Sequence, residues 1–394
     1  MRDLVKLARE ALELGEPCVL CTVVRLEGSG YGQPGSRLLV TQSGERSGYI
    51  SGGCLEKDLL RQVWSRTTHG PALLAFDTRG DSVSSSRYQT GCEGIVYVLC
   101  QRIESANSPA YQVMVESQLQ GRSLRIGTVY RSESADVRVG HIWVERPRTE
   151  VCVDSMPYPL RERLTAAKAN QTIEFLGSDG GTIEVAMEIL IPPKELLIFG
   201  AGDDVIPLVA AANLQGWNVS VTGHRPELVT SVRFPGATVF CRPWDDATRA
   251  LSIRSDTNVL MMTHDLEADF RLLPQLLESP SRSIGILGPK RRLGRLIQSL
   301  YRRGRAISAQ EAERIRSPIG LDIGAATPTE VAASIIAELI ALTNCREGGK
   351  LHNRSHPLHD RAEHEVLNPG KGQVHISEIL PLTSPIQAES CPLD

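Results

Sequence analysis

The strongest constraint on the fold of this chain is a repeated strand-then-helix pattern that begins after Pro192-Pro193. Six apolar stretches recur, and a helical pattern follows each of them: ELLIFGAG, NVSVTGH, ATVFCR, NVLMMTHD, SIGILGP and IGLDIG. Short apolar strands that alternate with helices are typical of a parallel sheet covered by helices on both faces. Thr327 and Glu330 give the last helix an N-terminal capping box. The pattern therefore predicts a Rossmann-like, doubly wound parallel sheet over residues 191–345.

The residues before this boundary mix helices with strands that alternate in polarity. A helical pattern at the N-terminus is followed by strand-like runs and by a second helical run over about 54–66. Alternating apolar and polar residues then indicate antiparallel strands. The sequence thus predicts an α/β protein whose N-terminal α+β module at 1–100 is followed by a β-rich extension at 101–190. Residues 346–394 are aperiodic and predict an extended or disordered tail.

Charge and hydropathy argue against two broad classes of partner. A formal net charge of −3 gives no reason to expect nucleic acid or an anionic membrane surface. No run approaches the ~18 apolar residues of a membrane span, and the N-terminus lacks the apolar core of a signal peptide. We therefore expect a cytoplasmic protein.

The nine cysteines are too sparse for a secreted disulfide framework, so reduced thiols are expected. Cys18 and Cys21 form a C-x-x-C pattern inside an apolar strand. Residues three apart in a strand point to opposite faces. The pattern therefore predicts two small buried residues rather than a redox or metal site.

The first strand of the C-terminal repeat runs into a G-A-G turn. Gly200 permits a tight turn, and Gly202 allows a phosphate to approach the backbone at a helix N-terminus. Val205 occupies the third glycine position, and Gly223 stands where an acidic residue would hold a ribose. Arg225 could instead face a phosphate. The turn is either a nucleotide site or a Rossmann-like turn without a cofactor.

Two further segments follow strand ends, where ligands bind in open α/β sheets. THDLEAD places His264 and Asp269 near such an end, and His264 faces either a ligand or a structural hydrogen-bond partner. GPKRRLGRL puts Arg291 and two other cations at the positive end of a helix. An anionic ligand, the carboxylates of Asp203 and Asp204, or solvent could each balance these charges.

Glycine-rich stretches in the N-terminal module predict a second site. Gly28 and Ser29 lie between two strands in RLEGSGYGQPGSRLLV, and Gly52-Gly53-Cys54-Leu55-Glu56 opens the second helix. Three roles remain open for Cys54: a packed residue, a nucleophile or a ligand-holding thiol. Its position at a helix N-terminus favours a lowered pKa, which Glu56 opposes. Cys92, in the segment TGCE, is a second candidate thiol.

These motifs together resemble the XdhC/CoxI family of accessory proteins for molybdenum hydroxylases. The N-terminal segment TVVRLEGSGYGQPGSRLLV…GYISGGCLE is similar to the first module of that family. The C-terminal segments PPKELLIFGAGDD, GWNVSVTGHRPE, THDLEAD, IGILGPKRR and SPIGLDIGAATPTEVAASIIAEL are similar to its Rossmann-like second module. The resemblance covers about 1–100 and 190–345.

The resemblance implies a non-catalytic maturation factor. Such a chaperone binds the molybdenum cofactor, as molybdopterin or its dinucleotide form. It protects the cofactor during sulfuration by a cysteine desulfurase and delivers it to the hydroxylase apoenzyme. A homodimer is also implied. On this interpretation, the thiol of Cys54 holds the molybdenum, with Cys92 as the alternative, and the glycine turns with their cations hold the phosphate.

Two departures from the family pattern bear on these expectations. Gly223 stands where relatives show Asp, which argues against ordinary NAD binding. Glu93 replaces the glycine that usually follows Cys92. Two alternative functions remain beside the chaperone: an NAD(P)-dependent oxidoreductase based on the G-A-G turn, and a cofactor-free scaffold for the hydroxylase.

Overall fold

The computed structural model describes most of the chain, and the described residues are 1–53, 55–79, 94–119, 121, 123–145, 164, 171–249, 251–354, 364–366 and 375–376. They divide into two compact units between Pro192 and Pro193, and the strands at 364–366 and 375–376 belong to the first unit.

The first unit contains two sheets. Its helices are α1 (Arg2–Glu13), α2 (Glu56–Arg66) and α3 (Pro109–Leu119). The strands of its first sheet are β1 (Cys18–Gly28), β2 (Arg37–Thr41), β3 (Arg46–Gly48), β4 (Ala72–Asp77) and β5 (Gly94–Ile103). This sheet is antiparallel, with the order β3-β2-β1-β5-β4.

Apolar residues cover both faces of this first sheet. One face packs against α2 through residues such as Leu59 and Val63. The other packs against α1 and α3 through residues such as Ala8 and Met114. Both faces are buried because β1 is apolar at successive positions, as expected for a central strand covered on two sides.

The strands of the second sheet are β6 (Leu124–Ser132), β7 (Ile142–Val144), β8 (Thr172–Leu176), β9 (Thr182–Leu190), β16 (His364–Val366) and β17 (His375–Ile376). Their order is β17-β16-β8-β9-β6-β7. Strands β6 to β9 pair antiparallel, as the alternating pattern predicts, whereas β16 joins β8 in parallel.

The second unit is a parallel sheet with helices on both faces. Its strands are β10 (Glu195–Phe199), β11 (Asn218–Gly223), β12 (Ala237–Cys241), β13 (Asn258–Met261), β14 (Ser283–Ile286) and β15 (Ile315–Arg316). Its helices are α4 (Val205–Leu214), α5 (Leu266–Glu278), α6 (Lys290–Arg302), α7 (Ala309–Arg314) and α8 (Pro328–Thr343). All strand pairs are parallel, in the order β12-β11-β10-β13-β14-β15.

This topology confirms the predicted doubly wound fold. Helices α4 and α8 pack on one face of the sheet, and α5 and α6 pack on the other. Thr327 and Glu330 form the predicted capping box at the start of α8. The strand order reverses between β10 and β13, so the crevice that usually takes ligands in such sheets lies at the ends of these two strands.

Some elements differ from the sequence prediction. The stretch IGLDIG predicts the sixth strand of the parallel sheet, but that strand is β15, which lies just before it. The run SGYIS predicts a strand over 47–51, but β3 ends at Gly48 because the backbone N–H groups of Ile50 and Ser51 bond to Glu56 of α2. Helix α3 lies in the stretch predicted to be β-rich. None of the helices in the described part of the chain combines the length and apolar character needed to cross a membrane.

Candidate functional site

Glycines allow the loop between β1 and β2 to contact both the segment before α2 and the start of β5. Gly28 ends β1 with a φ of 79°, a conformation that favours glycine. An ideal Cβ on Gly32 would lie 1.9 Å from the Ile50 carbonyl oxygen, so only glycine allows this approach. An ideal Cβ on Gly94 would likewise lie 2.6 Å from the carbonyl oxygen of Ser29. These two close approaches are between protein segments, which explains part of the glycine richness without a ligand.

The carboxylate of Glu56 organises the loop that precedes α2. Glu56 is the first residue of this helix and is only 7% exposed. It accepts hydrogen bonds from the backbone N–H groups of Ile50 at 3.2 Å, Ser51 at 2.7 Å and Gly53 at 3.1 Å. The Ser51 hydroxyl also donates to Glu56 and accepts from the N–H groups of Gly53 and Leu55. The protein's own carboxylate thus fills the nest of donors where an anionic ligand was expected.

Burial and hydrogen bonding shift the pKa of Glu56 in opposite directions. Burial by itself raises the pKa of a carboxyl group, but the hydrogen bonds from the Ser51 hydroxyl and from the backbone of Ser51 and Ile50 stabilise the ionised form. Together they outweigh burial, and the pKa of Glu56 lies below its ordinary value. Glu56 therefore stays charged and holds the loop in place.

The same loop borders a groove of about 480 Å³. Gly53 is exposed there with a φ of 105°, and among the described residues beyond its chain neighbours no heavy atom lies within 4 Å of the position its Cβ would take, as is also true of Gly52. The groove is lined by Leu38, Arg46, Gly48, Tyr49, Ser51, Gly53, Glu56, Lys57 and Leu60. It therefore places basic, aromatic and apolar side chains beside the residue that precedes Cys54.

The candidate thiols Cys54 and Cys92 lie outside the described residues. Cys18 and Cys21 are buried free thiols that belong to the cores on opposite faces of the first sheet, which confirms the interpretation of the C-x-x-C pattern. Cys345 is disulfide-bonded, so the expectation of reduced thiols was wrong at that position. Among the described residues, no cluster of three or more His, Cys, Asp or Glu side chains could hold a metal ion.

In the second unit, Gly200 and Gly202 lie at the crevice where the strand order reverses. Gly200 has a φ of 132°, and an ideal Cβ would lie 2.1 Å from the Met262 carbonyl oxygen. An ideal Cβ on Gly202 would lie 2.5 Å from Oδ1 of Asp204, whose Oδ2 is 2.8 Å from Nε2 of His264. The space over Gly202 that was expected to admit a phosphate thus holds the carboxylate of Asp204.

The basic run at the start of α6 has a different partner from those considered from the sequence. Nε of Arg292 donates to Oδ2 of the fully buried Asp269 at 2.5 Å, and Nη2 donates to the Thr263 hydroxyl at 3.1 Å. Asp203 instead pairs with Arg233 at 2.9 Å. Asp269, which was expected to face a ligand, is therefore paired with Arg292 inside the protein, while Arg291 is exposed.

Gly223 and Arg225 lie at the end of β11. An ideal Cβ on the buried Gly223 would lie 2.7 Å from Cγ2 of Val229, so an aspartate there requires Val229 to shift. Arg225 is exposed. The acidic side chain that holds a ribose in a nicotinamide enzyme is absent here, and the place of its Cβ lies against Val229.

Three residues close to the loop before α2 were not identified from the sequence as important. Ser51 donates its hydroxyl to Glu56, and the rings of Tyr31 and Tyr49 contact each other edge-on. Tyr31 and Tyr49 each follow a glycine near a predicted loop, and an aromatic residue in such a place is a signal that could have found them. The pairing of Asp269 with Arg292 was also missed, because it joins two helices and has no local sequence signal.

Two family models match the chain. The XdhC and CoxI family matches residues 11–77, and the XdhC Rossmann domain matches residues 196–339. A protein of Bacillus subtilis (strain 168), described as a probable subunit of xanthine dehydrogenase, is 27% identical over 84% of this chain and 94% of its own length. The molybdenum cofactor insertion chaperone PaoD of Escherichia coli (strain K12) is 23% identical over 86% of this chain and 88% of its own length.

A solved structure agrees with these matches. The crystal structure of a xanthine dehydrogenase from Bacillus halodurans superposes with a TM-score of 0.66 at 28% identity, covering 89% of this chain and 98% of that one. Its likeness extends over both units. The described fold, the family models and these relatives agree that the chain belongs to the XdhC and CoxI family.

Proposed function

We propose that this protein binds the molybdenum cofactor as cargo, protects it during sulfuration and delivers it to a molybdenum hydroxylase of the xanthine dehydrogenase type. The observation that carries the proposal is the likeness to a molybdenum cofactor insertion chaperone over 88% of that protein's length. The likeness to a probable component of xanthine dehydrogenase supports the class of recipient. A cysteine desulfurase is the proposed sulfur donor, and the chaperone acts as a cytoplasmic homodimer.

The N-terminal groove provides the chemistry that such a cargo needs. The cargo is a flat pterin that carries a dithiolene, the metal and a phosphate or dinucleotide. Exposed Arg46 and Lys57 at the groove can attract its negative charge. Cys54, which follows Gly53 in the chain, is the proposed molybdenum ligand because thiolates suit soft metal chemistry.

For the second unit considered by itself, a phosphate-binding role is proposed for the crevice at the ends of β10 and β13. Gly202 lies in the turn before α4 beneath the carboxylate of Asp204, Gly200 is buried, and the exposed Arg225 and Arg291 supply positive charge on the same unit. His264 is exposed and holds Asp204 over Gly202. Binding of a phosphate there requires the carboxylate of Asp204 to move.

An NAD(P)-dependent oxidoreductase is less consistent with this crevice. Gly223 lacks the acidic side chain that recognises a ribose, and an aspartate there would require Val229 to shift. A cofactor-free scaffold for the hydroxylase is the other alternative, and it differs from the chaperone in carrying neither pterin nor molybdenum.

Purification from cells that make the molybdenum cofactor tests the proposal. We expect pterin fluorescence and molybdenum in near-stoichiometric amounts with the wild-type protein. Cys54→Ala is expected to lose molybdenum without unfolding, whereas Cys241→Ala, at an exposed free thiol of the second unit, is the matched control and should keep it.

Three outcomes would contradict the proposal or part of it. Micromolar NAD(P) binding without pterin would favour the oxidoreductase. Neither ligand, but a stable complex with the hydroxylase, would favour the scaffold. Equal molybdenum in Cys54→Ala and Cys241→Ala would remove Cys54 as the ligand while leaving the chaperone function standing.

A further inference from the structure

Two tyrosines stand exposed side by side at the N-terminal groove. Tyr31 is 68% exposed and Tyr49 is 56% exposed. Their ring centroids are 6.0 Å apart, and the ring planes make an angle of 66°, an edge-on arrangement. Aromatic rings usually bury most of their surface, so two adjacent exposed rings mark a surface that can bind another molecule.

The backbone around these rings is held in a fixed position. Tyr49 donates its N–H to the carbonyl oxygen of Arg37 at 2.8 Å, and the next two residues, Ile50 and Ser51, donate theirs to Glu56. The loop that carries Tyr31 is pressed against the same segment through the contact between Gly32 and Ile50. The rings are therefore presented by anchored loops, which lowers the entropic cost of binding.

The groove beside Tyr49 combines a small apolar floor with a basic rim. Leu38 is buried and Leu60 is partly buried, whereas Arg46 and Lys57 are exposed. Among the described residues that line the groove, Glu56 alone is acidic, and its carboxylate accepts hydrogen bonds from the loop. A volume of about 480 Å³ suits a small molecule. The complementary ligand is a flat heteroaromatic ring with an anionic substituent.

We propose that Tyr31 and Tyr49 form the stacking platform for the pterin ring of the cargo, with Arg46 and Lys57 facing its anionic substituents. This assignment rests on the proposed function, because it names the groove in which the pterin binds. Tyr49 lines the groove, and Tyr31 stands beside it in an edge-on contact that restricts how either ring can turn. Stacking of a heterocyclic base on an aromatic side chain is strong enough to dominate binding at a surface groove.

Titration with pterin-6-carboxylate, a stable fluorescent pterin, measures this binding on the full-length protein. Stacking is expected to quench the pterin fluorescence. Tyr49→Ala should raise the Kd about tenfold, as expected for the loss of one stacking contact, and Tyr31→Ala should raise it less. Tyr49→Phe keeps the ring and should bind within about twofold of wild type. Lys57→Glu should weaken binding and reduce its dependence on salt.

Tyr301→Ala is the matched control, because Tyr301 is 75% exposed on α6 of the second unit. It should bind pterin-6-carboxylate like wild type. The same variants are then purified from cells that make the cofactor, and their pterin content is compared with wild type. Because both groove tyrosines are largely exposed, the thermal unfolding midpoints of their variants should stay close to that of wild type.

The outcomes separate this inference from the proposed function. A wild-type protein that binds no pterin would overturn both. A wild-type protein that carries pterin, with equal affinity in Tyr49→Ala, Tyr31→Ala and Tyr301→Ala, would overturn only the platform. Variants that keep pterin but no longer form a complex with the hydroxylase would show that the two rings dock a protein, which also overturns the platform.

Discussion

The two units each contain a glycine loop at the start of a helix, and in both the protein's own carboxylate lies where an anion was expected. Before α2, Glu56 accepts three backbone hydrogen bonds and is 7% exposed. Before α4, Asp204 fills the space over Gly202, its side chain is 21% exposed, and it bonds to the exposed side chain of His264. The two loops look alike in sequence, but their carboxylates differ in burial and in partners.

This difference indicates different roles. Removing a buried carboxylate from backbone donors leaves those donors unsatisfied, so Glu56 is part of the fold. A partly exposed carboxylate with a single imidazole partner loses less when it moves into water, because only one hydrogen bond is broken. Asp204 can therefore be displaced by a ligand phosphate, whereas Glu56 cannot. The comparison predicts that burial, rather than position at a helix start, decides which carboxylates are structural.

The largest expected loss of stability comes from a buried carboxylate of the second unit, Asp269, when it loses its cation. Asp269 is fully buried near the crevice and is bonded to Arg292. Arg292→Ala leaves that carboxylate buried without its cation, which is expected to cost about 3–5 kcal/mol of unfolding free energy. Urea unfolding, with hydrogen exchange of peptides from α5 and α6, measures the loss. Arg291→Ala, at the exposed neighbouring position, should change stability by less than about 0.5 kcal/mol. Equal effects at the two positions would contradict the importance of burial.

The second effect tests Glu56. Glu56→Ala leaves the buried N–H of Ile50 and the half-buried N–H of Ser51 without an acceptor, with an expected cost of about 2–3 kcal/mol. Hydrogen exchange should rise first in residues 48–60. Glu56→Gln keeps an acceptor and should lose less, and Lys57→Ala should lose less than about 0.5 kcal/mol. A stable Glu56→Ala variant with an unprotected loop would show that the loop contributes little to folding.

The third effect is a dependence on pH that arises from the same carboxylate. The pKa of Glu56 is below its ordinary value of 4.5 in the folded protein, so folding favours the ionised form. Its contribution to stability is complete above about pH 4.5 and is lost as the pH falls through the lower, folded pKa. Urea midpoints between pH 6 and pH 3 should therefore fall more steeply for wild type than for Glu56→Gln. Parallel curves would mean that Glu56 does not gain from ionisation in the folded state.

Local patterns predicted much of the fold because they depend on neighbouring residues. The capping box of Thr327 and Glu330 could be predicted because it consists of hydrogen bonds between residues three apart in the sequence. Helix α3 was missed because its sequence, PAYQVMVESQL, has a weak helical periodicity, and its packing against α1 and β5 supplies the stability. Tertiary contacts of this kind leave no local signal.

In the candidate sites, too, local features could be predicted from the sequence, whereas tertiary contacts could not. The glycines at 52, 53, 200 and 202 could be predicted because tight turns need them. The occupant of each loop could not, because Glu56 folds back onto the residues before it and Asp204 is fixed by His264 from a different strand end. A glycine loop therefore predicts that something negative lies close to the backbone, but it does not say whether that group is a ligand or a side chain.

The smallest effect on stability, and the sharpest test of the comparison, comes from Asp204→Ala. Losing the single hydrogen bond between the partly exposed Asp204 and His264 should cost about 1 kcal/mol. The space over Gly202 becomes free, so the affinity for inorganic pyrophosphate, measured by calorimetry, should rise. Asp203→Ala is the matched control, because Asp203 carries the same charge one residue away but does not fill that space.

Asp204→Ala and Asp203→Ala together distinguish the effect of filling the space over Gly202 from the effect of negative charge near the turn. A gain in Asp204→Ala alone means that the carboxylate occupies the anion position, and that ligand binding displaces it. Equal gains in both variants mean that only the net charge of the turn matters, which would make Asp204 no different from any nearby acid. No gain in either would mean that this crevice does not take anions, and the contrast between a fixed Glu56 and a displaceable Asp204 would have to be abandoned.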